Sequence, residues 1–354
     1  MKIDSLCHTH LASTHSTNSQ LIEWMVLSYQ APSPTDHNRP HFSRPHLLTA
    51  DTQSGGRGQH GRTWQSPLGN VYLSLYVPTQ AYAWQQNLCL AYRLDGRLSL
   101  CVGYQLSQIP IIENINQTRL AKHLPTIGVK WVNDVGFYQP QANLPDQFQK
   151  LAGILIEPVN VAGHMLGVVI GVGINIAHAP VLTQQTQEGL NYQAVSLQDL
   201  TAQRLQPSEF YQPVSDAITN AIGQFNQLQA TEASEQFIHD FAQKDVLKNK
   251  HLQIHNPLSE QSITGIAAGI DAQGCLLIEQ ADGSTQTIWT GTIQVLDSAV
   301  SSLQANKQMA AHKRFGQAPF KFWIQPFHRC RQINTNKASH SKALIYDKTL
   351  ARLG

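Results

Sequence analysis

Residues 55–64 read Gly-Gly-Arg-Gly-Gln-His-Gly-Arg-Thr-Trp. A run this rich in glycine reads as a loop, carried by whatever scaffold flanks it. Gly56, Gly58 and Gly61 let the backbone reach positive φ and bring its N–H groups close to a ligand. Arg57 and Arg62 add fork-shaped, charge-assisted bonds to carboxylate or phosphate, and the indole of Trp64 closes the run. The combination suits an anionic small molecule, above all a phosphorylated one. A surface turn with solvated arginines is the plain alternative, and the motifs downstream weigh against it.

The chain has 354 residues, long for one domain and comfortable for two. Charge is unevenly placed: from residue 301 onward ten Lys/Arg face a single acid, Asp347, while the preceding 300 residues carry 15 basic and 22 acidic side chains. The body thus lacks the overall basic signature of a nucleic-acid binder, and no DNA partner is expected. The tail, with Phe315, Phe320, Phe322, Trp323 and Phe327 among its cations, is compatible with RNA or an anionic surface but carries no RNA-binding motif. It reads as a loosely ordered extension. Five scattered cysteines without a C-x-x-C pair argue against a disulfide framework or zinc ribbon. The N-terminus lacks the apolar stretch of a signal peptide, and the longest apolar run, residues 165–174, is far short of a bilayer span. The expectation is a soluble cytoplasmic protein with no membrane partner. His8, His10 and His15 have no carboxylate or cysteine at ligand spacing, and no H-E-x-x-H occurs, so no protein-bound metal is expected.

Ser16-Thr17-Asn18 precedes a helical period through Leu21, Ile22, Trp24 and Met25, with Ser or Thr as cap. Residues 31–46 read as a polar loop, 46–50 as a short strand and 70–77 as a good strand. Residues 87–109 follow a helical pattern, 126–131 a strand, and 140–149 a polar loop. Residues 151–158 and 165–172 read as adjacent antiparallel strands, and 207–243 as helical. Near residue 247 the pattern changes to five short strands, at 252–255, 262–270, 275–279, 285–289 and 292–296, separated by Asn-Pro, Asp-Ala-Gln-Gly and Asp-Gly turns. Such a series makes a small barrel.

Three motifs join the Gly-Arg loop. Gly128-Val129-Lys130-Trp131-Val132-Asn133-Asp134 puts a lysine at a strand end beside an indole, an electrode suited to a carboxylate becoming an acyl phosphate. A strand-end lysine that only snorkels to solvent is the plain reading. Lys150-Leu151-Ala152-Gly153-Ile154-Leu155-Ile156-Glu157 is an apolar strand interrupted at Gly153, where a ligand or backbone can approach. Gly171-Val172-Gly173-Ile174-Asn175 repeats that theme, with Asn175 as donor and acceptor. The glycine spacing fits no Rossmann fingerprint, and neither a P-loop nor a G-x-S-x-G elbow occurs.

In this order, Ser16-Thr17-Asn18, Gln53 with the Gly-Arg loop, Lys130-Trp131-x-Asn133-Asp134, Lys150-x-x-Gly153-Ile154-Leu155-x-Glu157 and Gly171-x-Gly173-x-Asn175 resemble the biotin–protein ligase family. The likeness runs over residues 10–298 and takes in Val195-Ser196-Leu197 and Trp289-x-Gly291. It implies an α+β fold. A catalytic domain related to class II aminoacyl-tRNA synthetases would occupy residues 1–246 and an SH3-like barrel residues 247–299, with the basic tail at 300–354. It also implies a monofunctional type, since the residues before Ser16 leave no room for a winged helix. ATP would activate biotin to biotinyl-5′-AMP, with Mg²⁺ screening the phosphates, and the acyl group would pass to a lysine of a biotin carboxyl-carrier protein domain.

Carried over residue by residue, Ser16, Thr17, Asn18 and Gln53 would hold biotin, with Gly153 beside it. Arg57, Gly58 and Gln59 would wrap the acyl-phosphate region. Lys130 and Arg57 would be the catalytic cations, Lys130 touching biotin as well. Arg57, Arg62, Trp64, Asn133 and Asn175 would face ATP. The resemblance leaves a homodimer open. A lipoate–protein ligase shares the adenylation logic and is the nearest alternative; a non-catalytic carrier-protein or nucleic-acid binder is the more distant one.

Two residues depart from the family pattern: Gln59 stands where it has a second loop arginine, and Val132 where it has proline. An amide can hydrogen-bond to phosphate but brings no charge. The Gln59→Arg variant is therefore expected to release biotinyl-AMP more slowly than the natural chain, by about tenfold in a filter-retention chase. Equal release rates would remove Gln59 from the account.

Overall fold

The computed structural model describes residues 6–31, 41–83, 88–142, 144–181, 192–256 and 260–296. Most of the polar 31–46 loop and all of the basic tail lie outside them. An eight-stranded mixed sheet carries most of the chain. Strand β1 (Cys7–Thr14) leads into helix α1 (Thr17–Gln30), whose cap Ser16 accepts a bond from the Ser19 N–H at 3.5 Å. An otherwise orphaned donor of the first turn is thereby satisfied. After β2 (His46–Gln53), the Gly-Arg loop and β3 (Val71–Pro78) come α2 (Arg97–Leu106) and α3 (Pro110–Ala121). Strands β4 (Gly128–Lys130), β5 (Asp134–Gln141), β6 (Leu144–Val161), β7 (His164–Ile174) and β8 (Tyr192–Ala194) follow, then α4 (Tyr211–Gln227) and α5 (Thr231–Phe241). The strand order is β1-β2-β3-β7-β6-β5-β4, with β8 beside β6. The β1–β2 and β6–β8 pairs are parallel and the rest antiparallel.

Strand alternation divides the side chains between two faces. Leu48, Tyr76 and Val169 meet Leu21 and Met25 of α1 on one side. Leu47, Leu73, Leu75, Val168 and Ile170 turn to the other, into the core that includes Leu98 of α2 and Val214 and Ile218 of α4. The β6–β7 hairpin turns at Ala162 and Gly163, both at positive φ, the geometry that matches strand twist. Opposite β5, Val135 pairs with Ala152 but Gly136 with Lys150, so Leu151 is an extra residue on β6. This bulge changes the side to which the strand's residues point.

The remaining strands, β9 (His251–Asn256), β10 (Gln261–Ile270), β11 (Leu276–Glu279), β12 (Thr285–Ile288) and β13 (Thr292–Val295), form a five-stranded antiparallel sheet in the order β12-β11-β10-β9-β13. It is the small barrel expected from the turn spacing, and the SH3-like element that the resemblance implies. Both sheets belong to one compact unit. The Trp131 indole donates to the Gly274 carbonyl at 2.9 Å, tying the β10–β11 turn to the end of β4.

Three expectations are corrected. The helix read from residue 87 begins only at Arg97. Leu90 bridges Thr79, while the Ala91 N–H and Cys89 carbonyl bond the side chain of Asn226. Those backbone groups are satisfied across the fold rather than within a helical turn. Residues 140–149 are not a loop but the outer end of the β5–β6 hairpin, whose facing glutamines, Gln139 with Gln147, give it polar character. The 207–243 helix is two, α4 and α5, and α3 had no sequence expectation.

Between the two sheets, Asp245 pairs beside Val129 of β4 and accepts the Leu247 N–H at 2.9 Å. Burial pushes its carboxyl up to about 6 from an ordinary 3.8. The folded protein thus holds this proton more tightly than the unfolded chain. The contribution is complete below about pH 4 and is lost as pH rises through about 6. Asp245→Asn removes the buried charge and is expected to add roughly 1–3 kcal/mol at pH 7.5. Urea titrations at pH 7.5 and pH 4.5 check this, since the gain must shrink at the lower pH.

Candidate active site

On the α1 face of the sheet, three neighbouring strands present Tyr72, Gly173 and Gly153 in one row and Ser74, Gly171 and Leu155 in the next. The glycines leave a bare stripe, and a cavity of about 700 Å³ opens over it. A Cβ on Gly171 would meet the Asn18 side chain at 2.1 Å, and one on Gly173 or Gly153 would meet the Trp64 indole at 2.7 and 2.9 Å. The stripe is therefore what lets Asn18 and Trp64 lie against the sheet.

The start of α1 supplies the inner wall. The Thr17 N–H and hydroxyl donate to Gln53 Oε1 at 2.8 and 3.1 Å, and the Ser74 hydroxyl meets Asn18 Oδ1 at 2.6 Å. Asn18 Nδ2 donates to the Leu155 carbonyl and to Glu157 Oε2, at 3.1 and 2.9 Å. Gly58, Gln59, His60 and Arg62 of the Gly-Arg loop line the outer wall beside Arg57. At His60 and Gly61 the loop takes positive φ, 56° and 73°. The Trp64 Nε1 is buried and has no partner, as is Asn175 Oδ1, leaving one donor and one acceptor available to a ligand. Asn175 Nδ2 is spent on the Val195 carbonyl at 3.2 Å, and Asn133 Nδ2 on the Ile154 carbonyl at 3.1 Å.

Arg57, Arg62 and Lys150 put three cations on the wall, against the two carboxylates of Asp134 and Glu157. Lys150 Nζ pairs with Asp134 Oδ1 at 2.7 Å and stands 5.4 Å from the Trp64 ring. Such a wall favours an anion. Tyr72 donates to the Pro67 carbonyl at 2.6 Å, and burial pushes its phenol above the ordinary range, so it is neutral at any physiological pH.

The Biotin/lipoate A/B protein ligase family matches residues 27–175, and the Biotin protein ligase C terminal domain matches residues 255–296. The first match includes the Gly-Arg loop, Lys150 and all three glycines of the stripe. In two separate stretches the chain is thus similar to the biotin protein ligase family. Among curated relatives of this family, the bifunctional ligase/repressor BirA of Escherichia coli is 29% identical over 243 residues, 68% of this chain and 63% of that protein. The biotin–[acetyl-CoA-carboxylase] ligase of Mycobacterium tuberculosis is 26% identical over 253 residues, 70% of this chain and 77% of that protein. The alignment thus spans less than two thirds of the Escherichia coli relative. The solved biotin protein ligase of Aquifex aeolicus, in complex with biotin and ATP, shares the fold with a TM-score of 0.56 at 22% identity, covering 82% of this chain and 99% of that one.

The biotin protein ligase motifs converge unevenly. Ser16, Thr17, Asn18, Gln53, Arg57, Gly58, Gln59, Arg62, Trp64, Asn133, Gly153 and Asn175 all line the cavity. Lys130 is not among its lining residues and is 3% exposed. Its ammonium donates to the Tyr192 hydroxyl and lies 4.1 and 5.1 Å from the rings of Tyr192 and Phe148. Parallel pairing of β8 with β6 places Tyr192 there, and Tyr192 itself faces the cavity. The lysine on the wall is Lys150, which sequence reading quoted without a role. The signal was its place three residues before Gly153, but an odd spacing on a regular strand puts the two on opposite faces. Asp134 and Tyr192 were missed as wall residues as well.

Because the Trp64 indole fills the space a Cβ at Gly173 would need, Gly173→Ala is expected to displace it. The cost is about 1–3 kcal/mol by overpacking, read in urea titrations, together with a red shift of tryptophan fluorescence. Unchanged emission and stability would show that the indole does not depend on the bare stripe.

Proposed function

We propose that this chain activates biotin with ATP to biotinyl-5′-AMP and passes the biotinyl group to a lysine of a biotin carboxyl-carrier protein domain. The observation that carries the proposal is the polarity of the cavity. Uncharged donors and acceptors of Ser16, Thr17 and Asn18 share one cavity with the cations Arg57 and Lys150. A neutral ureido head with an aliphatic arm and a terminal carboxylate combines the same two kinds of chemistry. The relatives, which include biotin–[acetyl-CoA-carboxylase] ligases and a biotin protein ligase in complex with biotin and ATP, support it.

In the first step a carboxylate oxygen of biotin attacks the α-phosphorus of ATP. An acyl–phosphate bond forms, the α–β bridge breaks and pyrophosphate leaves. In the second step the carrier's neutral ε-amine attacks the acyl carbon, AMP leaves and the amine gives up its proton. The chain's contribution is positioning and fixed positive charge rather than covalent catalysis. Lys150 and Arg57 would stabilise charge at the acyl phosphate, Lys150 taking the role that sequence alone placed on Lys130. Asn175 Oδ1 would accept from the exocyclic amine of adenine, with Arg62, Trp64 and Asn133 on the nucleotide's side. Among the described residues no group of three or more His, Cys, Asp or Glu is arranged to hold a metal ion. Mg²⁺ would therefore enter on the triphosphate, where it screens phosphate charge.

Residues 1–246 would form the catalytic domain and 247–299 the barrel. No helix among the described residues is long and apolar enough to cross a membrane, and the cytoplasm is where this reading places the chain. Lipoate is disfavoured because a dithiolane offers no partner to the amides and hydroxyls around Asn18.

ATP–pyrophosphate exchange by the purified chain tests the reading, with lipoate and octanoate beside biotin. Biotin alone should support exchange. Lys150→Met should lower it by about a hundredfold or more, and Lys130→Met by less than about tenfold. Exchange with lipoate alone overturns the substrate, and folded protein inert toward all three acids makes the chain a non-catalytic binder.

A further inference from the structure

Glu157 is absent from the motif roles, yet it joins the Gly-Arg loop to the start of α1. Its Oε1 accepts Arg57 Nη1 at 2.9 Å and its Oε2 accepts Arg57 Nη2 at 2.6 Å, a two-pronged pair between residues 100 positions apart. The same Oε2 accepts Asn18 Nδ2 at 2.9 Å. From Asn18 the bonds run on through Ser74 and Thr17 to Gln53. Gln53 Nε2 donates to the Ser66 hydroxyl at 2.9 Å, and that hydroxyl to the Trp64 carbonyl at 3.3 Å. The chain of bonds leaves the Gly-Arg loop at Arg57 and returns to it just after Trp64.

This closed circuit has a chemical consequence. The guanidinium suited to a carboxylate or phosphate is paired with a carboxylate, and the same carboxylate engages the amide suited to the neutral head. We propose that Glu157 is a positioning residue, a displaceable latch that holds Arg57 and Asn18 together in the empty protein and yields both to the incoming acid. The proposal rests on the reading of the cavity as an acid-activating site. A head group that bonds Asn18 weakens one prong of the latch, and a carboxylate or acyl phosphate then exchanges for Glu157 at Arg57, one fork-shaped pair for another. The loop is held at both stages and the arginine is never left as an unpaired cation over the reacting atoms. Arg57 and Glu157 side chains are 39% and 23% exposed, so water reaches the pair and exchange need not pass through a buried bare charge.

The test uses the full chain and trypsin, whose targets Arg57 and Arg62 both lie on the loop. Glu157→Gln puts an amide where the carboxylate was and cannot accept from both Arg57 prongs and Asn18. In the empty protein, nicking at the loop is expected to rise by about tenfold over the natural chain. With saturating biotin the two should be nicked at the same rate, because the ligand has replaced the latch. Nicking at Arg62 in Arg57→Gln, alone and combined with Glu157→Gln, adds the cycle. If Glu157 acts through Arg57, the double variant is cut no faster than Arg57→Gln.

Equal nicking of natural and Glu157→Gln protein without ligand overturns the latch. So does a difference that persists at saturating biotin, which marks a merely structural role. If the natural chain binds no biotin in equilibrium dialysis, the functional reading falls, and the empty-protein comparison still decides whether Glu157 restrains the loop.

Discussion

The absence of side chains at three positions on one sheet face governs the rest of this structure. Gly153, Gly171 and Gly173 lie on adjacent strands with their Cα hydrogens toward α1. Where β3, β6 and β7 carry Tyr76, Val169 and Val159 the helix packs directly on the sheet. A few residues along the same strands there is nothing to pack against, and a cavity results. Hydrophobic packing and ligand space are thus two ends of one face, and the boundary between them is set by where glycine begins.

Onto this floor the chain delivers its chemistry from four places. The cap and first turn of α1 bring Thr17 and Asn18, the loop after β2 brings Arg57 and Trp64, the turn after β4 brings Asn133 and Asp134, and the bulged strand β6 brings Lys150. The loop has backbone bonds of its own, from the Gly58 N–H to the Arg62 carbonyl and from the Trp64 N–H to the Gly56 carbonyl. Side-chain bonds that begin at Arg57 and end at Trp64 add a second set of ties to the sheet and α1. That second set suits a segment that must both admit a ligand and close around it.

Elements with strong local punctuation were legible in the amino-acid order. The five short strands after residue 250 are each bounded by turn residues, and their positions match within a residue or two. The helix after Ser16 carries its own cap. Long-range pairing hid the rest. Leu88 and Leu90 repeat at helical spacing with the residues that follow, yet they are buried against the end of β3 and α4 because Asn226, more than 130 positions away, satisfies the intervening backbone. The outer β5–β6 hairpin is built from glutamines and has no apolar alternation to betray it. In the candidate site, twelve residues carried by the motifs share one cavity, while Lys130 and Lys150 exchange places. Both are strand lysines beside glycine motifs. Only the three-dimensional register, with Tyr192 over one and a bulge beneath the other, distinguishes them. Glu157 closed one of the quoted motifs but had no role there, since its meaning lies in Arg57 a hundred residues earlier.

The extra residue Leu151 makes the position of the wall's charge a matter of counting. Straightening the strand without shortening it would put Lys150 and Gly153, three residues apart, on opposite faces and turn the ammonium toward the core. Substitutions elsewhere on β6 are graded in their effect, but this irregularity is all-or-none. The stretch can therefore drift in composition only as far as the bulge is kept.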